Sequence, residues 1–412
     1  MQSQPLSQSL AQDEAPTSAY ARKALAGSAI GYAMDGFDLL ILGFMLPAIS
    51  ASLALSTGQS GALVTWTLIG AVAGGIIFGA LSDRYGRVRV LTWTIVLFAA
   101  FTGMCAFAQG FWDLLAYRTI AGIGLGGEFG IGMALAAEAW PASKRARVSS
   151  YVALGWQSGV LMAALLTPVL LPLVGWRGMF VVGVIPAIVA WFIRNRLHEP
   201  EVFVRSARAE KKHNAFKLLV ADRRTTRTSL GIVVLCSVQN FGYYGIMIWL
   251  PTYLSRTLGF SLTKSAMWTS VTIVGMMLGV VIFGHLADRI GRKPTFLMFQ
   301  AGAVAMVLLY AKLSDPMTML WAGAVMGMFV NGMIGGYGAL ISEAYPTAAR
   351  ATAQNVLFNI GRAVGGLGPI VVGAIAATYS FQLAIALLAS IYVLDMIATL
   401  FLIPELKGVE LE

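Results

Sequence analysis

Long apolar runs alternate with short polar breaks from end to end of this chain, and the runs predict its architecture. Twelve of them approach the ~20 residues that carry a helix across ~30 Å of hydrocarbon. The predicted spans are Ala26 to Ser50, Gly61 to Leu81, Val90 to Phe107, Trp112 to Ala137, Val148 to Leu170 and Gly178 to Ile193. After a polar segment come Leu230 to Tyr253, Ala266 to Leu286, Phe296 to Tyr310, Met317 to Ile341, Ala353 to Thr378 and Leu383 to Leu402. The pattern is that of an all-α membrane protein with twelve transmembrane helices.

A repeat divides the twelve into two sixes. Gly79-x-Leu81-Ser82-Asp83-Arg84-x-Gly86-Arg87 returns 205 residues later as Gly284-x-Leu286-Ala287-Asp288-Arg289-x-Gly291-Arg292. The same offset carries Glu138-Ala139-Trp140-Pro141, followed by Arg145, onto Glu343-Ala344-Tyr345-Pro346, followed by Arg350. It also carries Gly70, Gly74, Gly122, Gly127 and Gly130 onto Gly275, Gly279, Gly327, Gly332 and Gly335. Parallel repeats of this kind build carriers whose site lies at the midplane between halves. Glycines four apart, Gly70 with Gly74 and Gly275 with Gly279, let helix backbones approach closely. The expected organisation is an N-terminal tail (1–25), a first pseudo-symmetric six-helix bundle (26–193), a linker (194–227), a second bundle (228–403) and a short tail (404–412).

Composition agrees with the apolar pattern: 58% of residues are hydrophobic and 12% charged, against about 25% charged in a soluble domain. The net charge of +10 follows membrane topology rather than nucleic-acid binding. With both termini cytoplasmic, 23 of the 29 Lys and Arg fall on the inner side, the bias that orients membrane proteins. Cys105 and Cys236 both fall in spans, so no disulfide framework is expected. The first 25 residues lack the basic and apolar regions of a signal peptide, so the first span is expected to be retained.

Charges inside the spans carry the candidate chemistry, because an intramembrane charge costs at least ~2.5–3.5 kcal/mol. Asp35 and Asp38 share a face of the first span. At ~1.5 Å per residue, Asp38 lies ~16 Å and Arg118 ~9 Å below the outer ends of their helices, a gap that an Arg side chain bridges. Asp35 and Glu128 lie ~21 and ~24 Å down, a second layer. Neighbouring carboxylates at low dielectric let one of them hold a proton near neutral pH. Arg362 sits in the eleventh span with no acid within a turn, so its partner must come from another helix or from a ligand. Its planar fork suits a carboxylate. Gln157, Asn240, Tyr243, Asn331 and Asn359 are further midplane candidates, although the amides can equally join helices. Asn240 is the repeat equivalent of Asp35, which places proton chemistry in the first half. Trp66, Trp156, Tyr244 and Trp249 are assigned to packing or the membrane interface in preference to a pocket, and Asp395 has no evident partner. Near the loops, Asp83, Arg84, Arg87, Glu138 and Arg145, with their counterparts Asp288, Arg289, Arg292, Glu343 and Arg350, form a candidate cytoplasmic gate of exposed ion pairs worth ~0–1 kcal/mol each.

These residues resemble the major facilitator superfamily, of which the repeated Gly-x-Leu-x-Asp-Arg-x-Gly-Arg loop is the diagnostic motif. Glu138 with Arg145, and Glu343 with Arg350, resemble the cytoplasmic network of its sugar porters. The ending Pro404-Glu405-Leu406-Lys407-Gly408 is similar to that branch's tail motif, with Leu406 in place of the usual Thr. Asp35-Gly36-Phe37-Asp38 resembles the first-helix signature of aromatic-acid and sialic-acid proton symporters, and Arg118 to Gly124 the family's Arg-x-x-x-Gly-x-Gly motif. The resemblance implies that Asp38 pairs with Arg118 and carries the coupling proton, and that Arg362 contacts a substrate anion.

The expectation is a monomeric secondary transporter of the bacterial inner membrane, taking up a small organic acid with protons by alternating access. No P-loop appears, so an ion gradient is the expected driving force. No catalytic or metal-ligand cluster appears, so neither an enzyme nor a cofactor is expected. Alternatives are a proton-linked sugar or sialic-acid carrier, a drug-exporting antiporter, or a non-transporting metabolite sensor.

Overall fold

A computed structural model of the chain describes residues 19–194, 197–200, 203–204, 215–259 and 262–411. Residues 1–18 of the predicted tail, and much of the predicted linker at 194–227, lie outside the described residues. Fifteen α-helices are described: α1 (Ala19–Leu53), α2 (Thr57–Tyr85), α3 (Arg87–Cys105), α4 (Phe111–Gly126), α5 (Glu128–Ala139), α6 (Arg145–Arg194), α7 (Ala215–Leu218), α8 (Arg223–Leu258), α9 (Leu262–Ile290), α10 (Arg292–Tyr310), α11 (Pro316–Gly332), α12 (Ile334–Ala344), α13 (Arg350–Gly365), α14 (Gly368–Thr378) and α15 (Phe381–Leu402).

Eleven helical stretches among the described residues are long and apolar enough to cross a membrane, and one of them, Ala142–Phe192, has 51 residues. That length holds two crossings of ~20 residues each. Gly175 divides them, with φ 64° and ψ 175° inside α6. The result is twelve spans, the count predicted from the apolar runs. Helix is the form that satisfies every backbone group within its own segment in hydrocarbon. The first helix includes Ala19, seven residues before the predicted span, because Ala, Arg, Lys and Leu at 19–25 favour helix beyond the apolar core.

Helix starts outside the hydrocarbon use side-chain caps. Ser56 and Gln59 form a reciprocal capping box on α2, which satisfies two otherwise orphaned amides. Asp222 and Asp315 cap α8 and α11. Bonds from the Thr225 backbone and from the Thr318 side chain hold their carboxyls below the usual range. Spans four and ten are interrupted at matching places, Gly127 and Met333 beside Gly332, and span eleven at Gly366 and Leu367.

Close backbone approach fixes the packing inside each half. A Cβ on Gly74 of α2 would lie 1.9 Å from the Ile123 carbonyl oxygen of α4. One repeat later, a Cβ on Gly279 of α9 would lie 2.2 Å from the Met328 oxygen of α11. Between halves, α2 packs on α13 and α6 on α9. Outward-facing apolar residues such as Leu165, Ile370 and Phe401 are 60–67% exposed, as lipid-facing positions are.

Candidate substrate and gating site

At the face carrying the basic loops, each half caps a helix of the other. Asp83, at the end of α2, accepts bonds from the backbone amides of Ala351 (3.1 Å) and Thr352 (2.7 Å) and from the Thr352 hydroxyl (2.6 Å). Asp288, at the end of α9, accepts from the backbone amides of Ala146 and Arg147, both at 3.0 Å. Two carboxylates thus sit on helix N-termini, where orphan N–H groups and the helix dipole favour negative charge. All six positions are related by the 205-residue repeat.

The gate glutamates complete the latch, with partners that differ from the motif spacing. Glu138 accepts from Arg87 of its own half (3.0 Å) and from Arg350 of the other (2.8 Å). Glu343 accepts from Arg292 (2.7 Å) and, across the halves, from Arg145 (3.0 Å). The two motif arginines exchange partners, because each begins a helix that faces the opposite half. These pairs are also buried rather than exposed: every side chain in them is 0–4% exposed. The expectation of exposed pairs is therefore corrected, since removing one partner of a buried pair costs about 3–5 kcal/mol. Arg84 and Arg289 do not join the latch. Arg84 stacks over Tyr85 at 5.2 Å, and Arg289 is exposed and offers its carbonyl to Lys407 at 2.8 Å.

Two residues outside the predicted gate complete it. Glu199 accepts from the backbone amides of Arg87 (2.7 Å), Val88 (3.2 Å) and Arg89 (3.0 Å). Glu405 accepts from those of Arg292 (3.0 Å) and Lys293 (2.9 Å). Each therefore caps the helix that follows a loop glycine, Gly86 (φ 109°) or Gly291 (φ 113°). A Cβ at either glycine would meet that glutamate, at 2.4 Å and 2.7 Å respectively. The carboxyl-terminal tail also touches the first half, where the Val409 carbonyl accepts from Arg145 at 2.8 Å.

In the first half the structure brings Asp38 and Arg118 together. Both guanidinium nitrogens bond the carboxylate, Nη1 to Oδ1 at 3.0 Å and Nη2 to Oδ2 at 2.6 Å, the fork geometry of a bidentate pair. Both residues are fully buried. Glu128 accepts from the Thr94 hydroxyl of α3 at 2.7 Å. Asp35 is buried, and it acts electrostatically on Arg362.

Arg362 borders a central cavity of about 10 Å³, room for roughly one water. Its guanidinium lies over Trp156, 5.2 Å from the ring centroid, and Nη2 has no hydrogen-bond partner. Asn240, Tyr243 and Asn331 line the same cavity. Trp156 donates to the Tyr243 hydroxyl at 3.3 Å, and Gln239 to Asn331 at 2.8 Å. Phe129 and Phe358 stack across the halves at 3.8 Å. Gln157 is buried beside Tyr243. Asn359 is not brought to the cavity: its Nδ2 bonds the Asn355 carbonyl at 2.9 Å, and the side chain faces Gly75 of α2. Trp156 and Tyr244 line the cavity, contrary to the packing role expected, whereas Trp66 is 46% exposed and Trp249 bonds the Pro369 carbonyl. Tyr32, Gln239 and Phe358 were not anticipated, since aromatics and single amides in a span look alike whether they face a cavity or a neighbouring helix.

Twelve spans in two related halves, a polar centre and a latch that ties the halves at one face define a membrane carrier. The chain belongs to the Major Facilitator Superfamily, whose family model matches residues 28–281 and 256–410. It is a transporter, not an enzyme. A Haemophilus influenzae protein provisionally described as a metabolite transport protein is 72% identical over 400 residues, covering 95% of this chain and 98% of that protein. The cis,cis-muconate transport protein of Acinetobacter baylyi is 31% identical, covering 90% of this chain and 91% of its own. The solved structure of a proton:xylose symporter superposes with a TM-score of 0.81 at 19% identity, covering 96% of this chain and 98% of that one, a likeness of fold.

Proposed function

We propose that this carrier takes up a small, planar organic acid together with protons, by rocking its two halves about the central cavity. The observation that carries the reading is Arg362: a guanidinium buried at the interface, backed by Trp156, with Nη2 lacking a partner. An Arg fork matches a carboxylate bidentately, and the aromatic walls offered by Trp156, Tyr243 and Phe358 suit a conjugated ring or chain. The similarity to a cis,cis-muconate transport protein supports the same class.

Asp38 is the proposed coupling residue. Bound by Arg118 it is satisfied as a carboxylate. Protonation removes its charge, frees Arg118 and lets the first half rearrange. Asp35 and Glu128 relay the proton, with Asp35 placed to sense the charge on Arg362. Gln157, Asn240, Tyr243 and Asn331 complete the substrate contacts. The basic face is the proposed cytoplasmic side, in the inner membrane of a bacterium, so the latch of Asp83, Asp288, Glu138 and Glu343 is the inner gate in its closed state. A monomer suffices, because both halves lie in one chain.

The test is a panel of labelled aromatic acids, monocarboxylates and sugars in proteoliposomes. Saturable uptake of planar carboxylates supports the reading. Uptake of neutral sugars alone would reject it in favour of the sugar-porter alternative suggested by the Pro404 to Gly408 tail.

A further inference from the structure

The second half holds an acid that the transport scheme above does not use. Asp395 lies on α15, fully buried, and neither carboxyl oxygen has a hydrogen-bond partner. The groups facing it carry no positive charge: Cys236 on α8, Tyr337 on α12 and Tyr392 on α15 itself. The packed segment α14 contains no titratable residue. On α10, Lys293 is committed elsewhere, its Nζ donating to the Leu400 carbonyl at 2.7 Å. Arg292, at the start of the same helix, is held by Glu343. Among the described residues Asp395 therefore has no counter-ion in a fully buried position, where an ionised carboxylate needs one.

The neighbouring polar group has an acceptor without a donor. Gln300 of α10 is fully buried and acts on the Asp395 carboxyl. Its Nε2 donates to the Thr399 hydroxyl at 2.7 Å, one turn beyond Asp395 on α15, while its Oε1 has no donor. A carboxylate is acceptor-only, whereas a carboxylic acid supplies one O–H donor. One proton on Asp395 thus satisfies an orphan acceptor and removes an uncompensated charge together.

We propose that Asp395 is a proton-binding site of the second half, present in this closed state as a neutral carboxylic acid whose O–H is donated to Gln300. The site is separate from Asp38 and Asp35. Where Asn240 replaces the acid of the first half, Asp395 stands where the first half has the buried Ala190, so each half keeps an acid that the other lacks. It lies seven residues from the end of α15, ~10 Å from the basic face. Opening of that face gives it a route to water. Release of its proton requires water or a donor to reach the carboxylate, so deprotonation opposes the packing seen here.

Infrared difference spectroscopy of the full chain in lipid, recorded against an alkaline reference, tests this. A carboxyl C=O band is expected that shifts on ¹³C-aspartate labelling, loses one carboxyl's intensity in Asp395→Asn and moves to higher frequency in Gln300→Leu as the hydrogen bond disappears. Aspartate bands unchanged in Asp395→Asn overturn the proposal, as does a band unmoved by Gln300→Leu. Should Asp395→Asn fail to fold, the labelled native protein and Gln300→Leu still decide: absence of an aspartate carboxyl band at neutral pH overturns it.

Discussion

Arg362 and Asp38 divide the proposed work between binding and coupling, and their chemistry makes different predictions. Arg362→Lys keeps the charge but loses the planar fork. With charged hydrogen bonds worth ~1.5–3 kcal/mol and 1.4 kcal/mol per factor of ten, kcat/KM for a carboxylate should fall ~10–100-fold in uptake assays. Asp38→Asn keeps the shape beside Arg118 but cannot take up or release a proton. Counterflow exchange should persist and uphill uptake should vanish; uphill uptake left intact would reject Asp38 as the coupling residue. Asp38 and Arg118 were legible in the sequence because a charge in an apolar run stands out and helix rise fixes its depth. The walls of the cavity were not, since Tyr32 and Phe358 differ from lipid-facing aromatics only by the direction they point.

Helices here are joined by backbone contact and by caps, and the glycines that allow both can be tested. Gly86 has φ 109° and ψ 152°, a region that is essentially Gly-only and costs other residues about 1–3 kcal/mol. Gly86→Ala should lower the melting temperature of the purified protein and displace Glu199 from the start of α3. An unchanged melting temperature would contradict that cap. Gly74→Val places methyl groups where the Ile123 carbonyl of α4 already lies and should destabilise by about 1–3 kcal/mol or more as overpacking. The repeat made the glycine positions readable, while the caps were hidden. Glu199 and Glu405 belong to polar segments whose composition is that of any solvated loop, and only the fold brings them to Gly86 and Gly291.

Across the whole molecule, the halves meet through a latch whose partners are swapped. The sequence showed each Glu beside its own Arg, but Glu138 binds Arg350 and Glu343 binds Arg145, a pairing that depends on how two bundles face each other. Glu138→Gln removes the buried carboxylate that Arg87 and Arg350 share, and loss of one partner of a buried pair costs about 3–5 kcal/mol, although Arg87 keeps Asp83 at 2.9 Å. The basic face should then open far more often. The modification rate of Ser149→Cys by a membrane-impermeant thiol reagent added from that side should rise at least ~100-fold, 2.8 kcal/mol at 1.4 per tenfold. Equal rates in the two backgrounds would mean that the network does not hold the face shut. Cys105 and Cys236 are both buried and provide a low background.

Coupling of substrate to protons is measured most directly as proton influx into proteoliposomes on addition of each compound of the panel. Planar carboxylates should drive an inward proton current in native protein and none in Asp38→Asn. Saturable uptake of those acids with no accompanying proton movement would contradict it.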